Sequence, residues 1–149
     1  MFFSLKDDIT VEYLYCISDR YVTVNINGDV CISDEKLQGI RLYSSSLEPL
    51  MVIRNPYTDH PESREPFSPM GITHDSFGRL IVADHRNHCV VRITVDVSSL
   101  SYKSEVIVRN GEEGVQDLDF PTLVAMGPGP HLWVVCKNNI QVFSYMDKE

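Results

Sequence analysis

Five histidines, four cysteines and 21 carboxylates are the side chains in this 149-residue chain that could transfer protons, attack as nucleophiles or hold a metal. Their spacing argues against all three roles. Cys16, Cys31, Cys89 and Cys136 lie at least 15 residues apart, with no C-x-x-C pair and no cysteine–histidine array of zinc spacing. Each sits in an apolar run such as Val30-Cys31-Ile32 or Val134-Val135-Cys136, which predicts buried free thiols in a reducing compartment. No Ser/His/Asp or Cys/His set stands at interpretable spacing, and Gly127-Pro128-Gly129-Pro130 is turn chemistry, not a phosphate cradle. No catalytic, cofactor-binding or metal-binding residue is therefore assigned, and no cofactor is expected.

Charge narrows the partners. Thirteen Lys and Arg against 21 Asp and Glu leave a net charge of −8, the wrong sign for affinity built on neutralised phosphates. No run of 18 apolar residues exists to span a membrane. Met1 to Lys6 is followed at once by Asp7-Asp8, so the N-terminus lacks the basic and apolar regions of a signal peptide, and a cytoplasmic location is expected. The length suits a single domain that buries about two-thirds of its unfolded surface.

The elements that must position any site come from an internal repeat. Asn27-Gly28-Asp-Val-Cys-Ile-Ser-Asp34 matches Phe77-Gly78-Arg-Leu-Ile-Val-Ala-Asp84, and Gly129-Pro-His-Leu-Trp-Val-Val-Cys136 is a third copy. The closing residues are 50 and 52 positions apart, within the spacing of propeller blades. Met51-Val-Ile-Arg-Asn55 recurs as Val106-Ile-Val-Arg-Asn110, and Phe67-Ser-Pro69 is matched to Phe120-Pro121. Short β-branched runs separated by Gly- and Asn-containing turns predict strands near 20–25, 29–33, 39–43 and 49–54. A second set falls near 70–74, 79–83, 88–95 and 103–108, and a third near 123–126, 132–136 and 140–145. Four antiparallel strands at a fixed period make a blade, so the expectation is an all-β partial propeller of about three blades, half of a six-bladed ring. The layout is an N-terminal strand segment at 1–19, then blades at 20–67, 68–119 and 120–149, the last one incomplete. Ile9 to Ile17 is a spare strand for that last blade or for a missing one. Three blades cannot close a ring, so the chain is either a fragment of a longer propeller or a half-ring able to self-associate through its open blade edges.

The second unit, from Phe67 to Ile93, resembles an NHL repeat in its Pro-x-Gly-Ile opening, its Gly-x-Leu-x-Val-Ala-Asp core and its Asn87-His88 pair. It has Cys89 where the name-giving Leu would stand. The third unit departs further, with Cys136 for the Asp and Asn138-Asn139 for the Asn-His pair. The ending from Leu132 to Tyr145 is similar to the C-terminal region of tripartite-motif proteins, where an NHL propeller follows RING, B-box and coiled-coil segments. That resemblance implies a substrate-recognition module, with any ubiquitin ligation residing in domains outside this chain. It also leaves an RNA-binding propeller open as an alternative, and propellers in general leave a lactonase- or lyase-type enzyme open.

The loops after the second strands and between the blades share one face. They carry ten carboxylates (Asp34, Glu35, Asp59, Glu62, Glu65, Asp84, Glu112, Glu113, Asp117, Asp119) against Lys36, Arg64, Arg86 and Lys137, a balance of −6 that favours a protein partner over RNA. The candidate partner face is Asp34, Glu35, Tyr57, His60, Arg64, Asp84, His85, Arg86, Glu112, Glu113 and Lys137. Bland roles compete with functional ones throughout. Asp34 and Asp84 close strands where a carboxylate caps backbone N–H groups, His88 packs blades together, and Trp133, mid-strand among apolar neighbours, belongs to the core. A metal set built from His74, His85 and His88 lacks matching histidines in the other units.

Overall fold

The computed structural model describes residues 20–57 and 65–145. Among the described residues, eleven strands fall into three antiparallel sheets in sequence order. The first holds β1 (Arg20–Val24), β2 (Val30–Asp34), β3 (Gly39–Tyr43) and β4 (Pro49–Ile53). The second holds β5 (Pro69–His74), β6 (Leu80–Asp84), β7 (Cys89–Asp96) and β8 (Ser101–Arg109), and the third holds β9 (Leu123–Met126), β10 (His131–Val135) and β11 (Ile140–Ser144). Each sheet is a meander with its first strand at one edge, and the third lacks a fourth strand among the described residues. The eleven strands expected within the described residues are all found; only β8 departs noticeably, starting two residues earlier and running to Arg109. No helix among the described residues is long and apolar enough to cross a membrane. The spare strand predicted over Ile9 to Ile17, with Cys16, lies outside the described residues.

The hairpin turns show why the repeat recurs. Asn25 Oδ1 accepts the amides of Asn27 and Asp29 at 2.9 and 3.0 Å, and Asp75 Oδ1 accepts those of Phe77 and Arg79 at 3.0 and 2.9 Å. An Asx side chain that satisfies two turn amides fixes the hairpin before any tertiary contact forms. The residue that reverses the chain is Gly28 in one turn and Gly78 in the other, at φ of 81° and 78°, a conformation that costs glycine nothing.

Two apolar layers separate the three sheets. Alternate residues of β6 divide between them: Leu80 and Val82 face Cys31, Ile40, Leu42 and Ile53 of the first sheet, while Ile81 and Ala83 face Val124, Leu132 and Val134 of the third. Every residue of β6 is therefore buried, whereas β10 alternates between buried and exposed. That difference overturns the expectation for Trp133, which is 43% exposed on the outer face of the third sheet, not in the core. Its neighbours on the strand are apolar, but burial on that face requires a sheet stacked outside it.

The free-thiol expectation is met for Cys31, Cys89 and Cys136, all buried. Burial, with Asp29 nearby, pushes the Cys31 thiol up to about 12, and burial with Asp119 raises Cys136 as well. Neither supplies a thiolate at neutral pH.

At the turn end of the stack, Tyr145 donates from its hydroxyl to Asp75 Oδ2 at 2.7 Å, and Arg79 Nε reaches the same oxygen at 2.6 Å. Burial alone would raise the Asp75 carboxyl, but the Tyr145 hydroxyl, the Arg79 guanidinium and the Arg79 amide outweigh it and hold the group below 3.8. A depressed carboxylate stabilises the fold above its unfolded pKa, and that contribution is lost as pH falls through the folded value. Asp75→Asn is accordingly expected to be less stable at pH 7 but to lose less between about pH 4 and pH 2 than the parent chain. Urea midpoints at the two ends of that range measure the difference, and equal acid losses would remove Asp75 from the account.

Candidate functional site

The turns after β2, β6 and β10 and the segments entering β5 and β9 meet at the end of the stack opposite the hairpin turns. The first contact there is ionic. Glu35 Oε1, after β2, lies 3.3 Å from Arg86 Nη2, after β6, and accepts the Ser68 hydroxyl at 3.1 Å. The adjoining carboxylates point inward. Asp34 is 3% exposed, accepts the Leu37 amide at 3.0 Å and pairs with Arg20 Nη2 at 3.0 Å. Asp84 is fully buried and accepts the Tyr57 hydroxyl, the Ser68 amide at 3.1 Å and Asn87 Nδ2 at 2.9 Å. Burial raises the Asp84 carboxyl, and these three donors only partly offset that shift. Tyr57, buried and bonded to Asp84, has its own hydroxyl pushed far up by burial and by the neighbouring Cys89 and Asp84.

Three members of the expected partner face, Asp34, Asp84 and Tyr57, are thus corrected to buried positions, because caps and a buried hydrogen-bond network consume their polar atoms. The acidic excess expected on this end shrinks with them. Glu35, His85, Arg86 and Lys137 do gather around the inter-sheet loops. Glu112 and Glu113 are exposed at the tip of the loop after β8, where Gly111 and Gly114 take φ of 84° and 78°. His60 and Arg64 lie outside the described residues, as do Asp59 and Glu62.

One residue that the repeat comparison misplaced stands at the centre of this end. His85 N donates to Ser68 O at 3.0 Å, and Lys137 N donates to Asp119 O at 3.0 Å, so Ser68 and Asp119 occupy corresponding places. Phe67 and Leu118, each one residue earlier, are the buried pair, 4% and 0% exposed. Phe120 is therefore not the counterpart of Phe67. It is an extra residue between Asp119 and Pro121, turned outward at 36% exposure with φ of 49°.

Its position is fixed on several sides. The Phe120 amide donates to His88 Nδ1 at 3.1 Å, which places the His88 proton on Nε2. The His88 ring meets the Phe120 ring edge-on at 4.5 Å between centroids, and the His85 ring lies tilted at 5.1 Å. His85 Nδ1 lies 3.3 Å from the Pro121 carbonyl, which can only accept, so that nitrogen carries the proton. Lys137 Nζ sits 5.7 Å from the Phe120 ring centre. Asn110 Nδ2 reaches Asp119 Oδ1 at 3.2 Å and holds the approach to Phe120. A left-handed, exposed aromatic braced in this way is a preformed knob. The inserted residue was visible only as a one-residue discrepancy between Phe67-Ser-Pro69 and Phe120-Pro121; which phenylalanine turned inward was not.

Among the described residues no group of three or more His, Cys, Asp or Glu converges to hold a metal ion. His74, one of the three histidines weighed as a metal set, is taken up by Thr23, whose Oγ1 lies 3.0 Å from His74 Nδ1.

No protein-family model matches the chain, and a search of curated proteins returns no match. Solved structures do match in fold. Selenomethionine-substituted virginiamycin B lyase from Staphylococcus aureus superposes with a TM-score of 0.55 at 14% identity, over 86% of this chain and 41% of its own. A catalytically inactive virginiamycin B lyase with quinupristin gives 0.52 at 14%, over 85% and 40%. A protein of unknown function from Bacteroides caccae gives 0.50 at 17%, over 76% and 36%. This chain spans about two-fifths of the length of the lyases it matches. At such identities the likeness is one of fold: an all-β chain of three blade-like sheets from a β-propeller.

Proposed function

We propose that this chain is an NHL-like propeller segment that recognises a protein partner through the loop face centred on Phe120, in the cytoplasm and without a cofactor. Ubiquitin ligation of the tripartite-motif kind, if it applies, belongs to domains outside the chain. The observation that carries the reading is the extra phenylalanine held outward between His85, His88 and Lys137. An exposed aromatic whose backbone and ring are already fixed contributes contact area at little ordering cost, which is the profile of an interface anchor. The charge of −8 favours protein over RNA. A lyase role like that of the structural neighbours gains no support from this face: Asp34 and Asp84 are taken up by caps and buried hydrogen bonds, and burial raises the thiols of Cys31 and Cys136.

Panning a random peptide display library on the purified chain tests this, with the Phe120→Ala chain as the comparison surface. Peptides enriched on the parent are expected to bind Phe120→Ala at least about 10-fold more weakly, while the variant melts within a few degrees of the parent because Phe120 supports no core. Enriched peptides that bind both chains equally would overturn the assignment. So would a chain that enriches no peptide but shifts a random-sequence RNA pool.

A further inference from the structure

We propose that the loop face carries its own pH switch: protonation of His88 releases Phe120 from the outward, left-handed position in which it is held. This regulation rests on the reading of Phe120 as the anchor of that face. A φ of 49° on a phenylalanine is a conformation that persists only where neighbouring groups impose it. The bond that imposes it from the amide side is the one to His88. The Phe120 amide can only donate, so its 3.1 Å contact with His88 Nδ1 needs a lone pair on that nitrogen. A protonated imidazole has none. Its Nδ1–H and the Phe120 N–H then point at one another, and either the ring or the amide must leave.

The surroundings of His88 supply a partner for the charged ring. Asp119 Oδ1 lies 3.9 Å from His88 Nδ1, so the proton that repels the Phe120 amide has a carboxylate beside it. That oxygen already accepts Asn110 Nδ2 at 3.2 Å and keeps a lone pair free. The His88 side chain is 33% exposed, so the proton arrives from solvent without any opening of the fold. The other charges nearby are engaged elsewhere. On the turn that carries His88, Asp84 is buried under three donors and Arg86 lies 3.3 Å from Glu35. The loop after β8 donates the Asn110 amide to the His88 carbonyl, and its Arg109 and Glu112 stand 3.9 Å from each other. After β10, Lys137 faces the Phe120 ring, and burial pushes the Cys136 thiol up. His85, the other imidazole against Phe120, is indifferent to the switch: with Nδ1 protonated and donating to the Pro121 carbonyl, it takes a second proton on Nε2 and keeps that bond.

Nitrogen NMR on the 149-residue chain reads both ends of the bond. At about pH 8 the His88 ring is expected as the Nε2–H tautomer and the His85 ring as the Nδ1–H tautomer. Between about pH 8 and pH 5, where histidines change charge, the Phe120 amide cross-peak is expected to move with the same midpoint as the His88 ring nitrogens. His88→Asn puts an amide oxygen in the place of Nδ1 and suits the left-handed backbone there, at φ of 50°. That oxygen takes up no proton in this range, so the Phe120 amide of the variant is expected to stay in place. A Phe120 amide that stands still while His88 titrates in the parent, or that moves as far in His88→Asn, would overturn the switch. Binding gives the second readout. A display peptide that needs Phe120 is expected to bind the parent about 5-fold or more weakly at pH 5 than at pH 8, with no such ratio in His88→Asn whatever its starting affinity. Equal binding at both pH values while the amide moves would overturn the regulation. The two readings fail separately: the lack of any Phe120-dependent peptide removes the anchor, whereas the amide titration decides the switch with no peptide present.

Discussion

Asp84→Ala is expected to lower the unfolding free energy by about 2–4 kcal/mol, a large loss for a single polar side chain. The carboxylate is fully buried and is the meeting point of three donors from three segments: the Tyr57 hydroxyl, the Ser68 amide and Asn87 Nδ2. Alanine leaves the buried Ser68 amide without its acceptor and the Tyr57 hydroxyl with only the weak Cys89 Sγ at 3.4 Å, while Asn87 Nδ2 keeps the Glu65 carbonyl at 2.9 Å, and an unsatisfied buried donor costs about 1–3 kcal/mol. For a chain of this size the loss corresponds to a fall in melting temperature of about 10 °C. Asp84→Asn keeps the shape and an acceptor for Ser68 but sets two NH2 groups against each other at Asn87, so an intermediate loss is expected. Tyr57→Phe removes one donor and its desolvation together, and is expected to cost about 1 kcal/mol. Urea denaturation of the three variants and of the Tyr57→Phe/Asp84→Ala double variant measures the coupling directly. A loss below about 1 kcal/mol for Asp84→Ala, or strict additivity in the double variant, would mean that the network is not what joins these segments.

The sequence makes some parts of this network plain and hides others, and the division is physical. The strands and their order follow from β-branched runs, and the turns follow from glycine and Asx residues that act within four positions of themselves, as Asn25 and Asp75 do. Such signals are local and survive any tertiary context. Asp84 as a structural cap was legible for the same reason, since a carboxylate closing a strand before a turn has backbone amides within reach. Tyr57 reaching Asp84 was not, because 27 residues separate them and no local rule links a loop tyrosine to a strand end. Trp133 failed in the opposite direction: its strand reads as core on both sides, and whether both sides are covered depends on how many sheets are stacked. Phe120 failed through alignment. Two phenylalanines stand before two prolines, and only the bonds from His85 to Ser68 and from Lys137 to Asp119 reveal that Leu118 has taken the buried place.

Gly71 makes the second large prediction, and it concerns how the sheets are joined. A Cβ built on Gly71 would lie 2.7 Å from both Leu123 Cα and Thr122 O and 2.9 Å from Val124 N, all backbone atoms of the third sheet or of the residue entering it. Its own amide donates to Thr122 O at 2.7 Å. A flexible side chain could swing aside, but these atoms belong to β9 and its approach, so any side chain must push the two innermost strands apart. Overpacking of this kind costs about 1–3 kcal/mol for alanine, and more is expected for valine, whose two branches double the clash. The damage should fall unevenly. The first and second sheets share a layer that Gly71 does not enter, whereas the third sheet meets the second in a different layer, where β9 lies against β5 and β6 and where Val90 of β7 and Val108 of β8 also pack. Gly71→Val is therefore expected to loosen the third sheet first. The single tryptophan of the chain, Trp133, lies in that sheet and reports on it by fluorescence, while circular dichroism follows all three. In Gly71→Val the fluorescence midpoint in urea should fall below the dichroism midpoint, and in the parent the two should coincide. Coincident midpoints in the variant would mean that the three sheets unfold as one unit and that the close approach of β5 to β9 is not the seam between them.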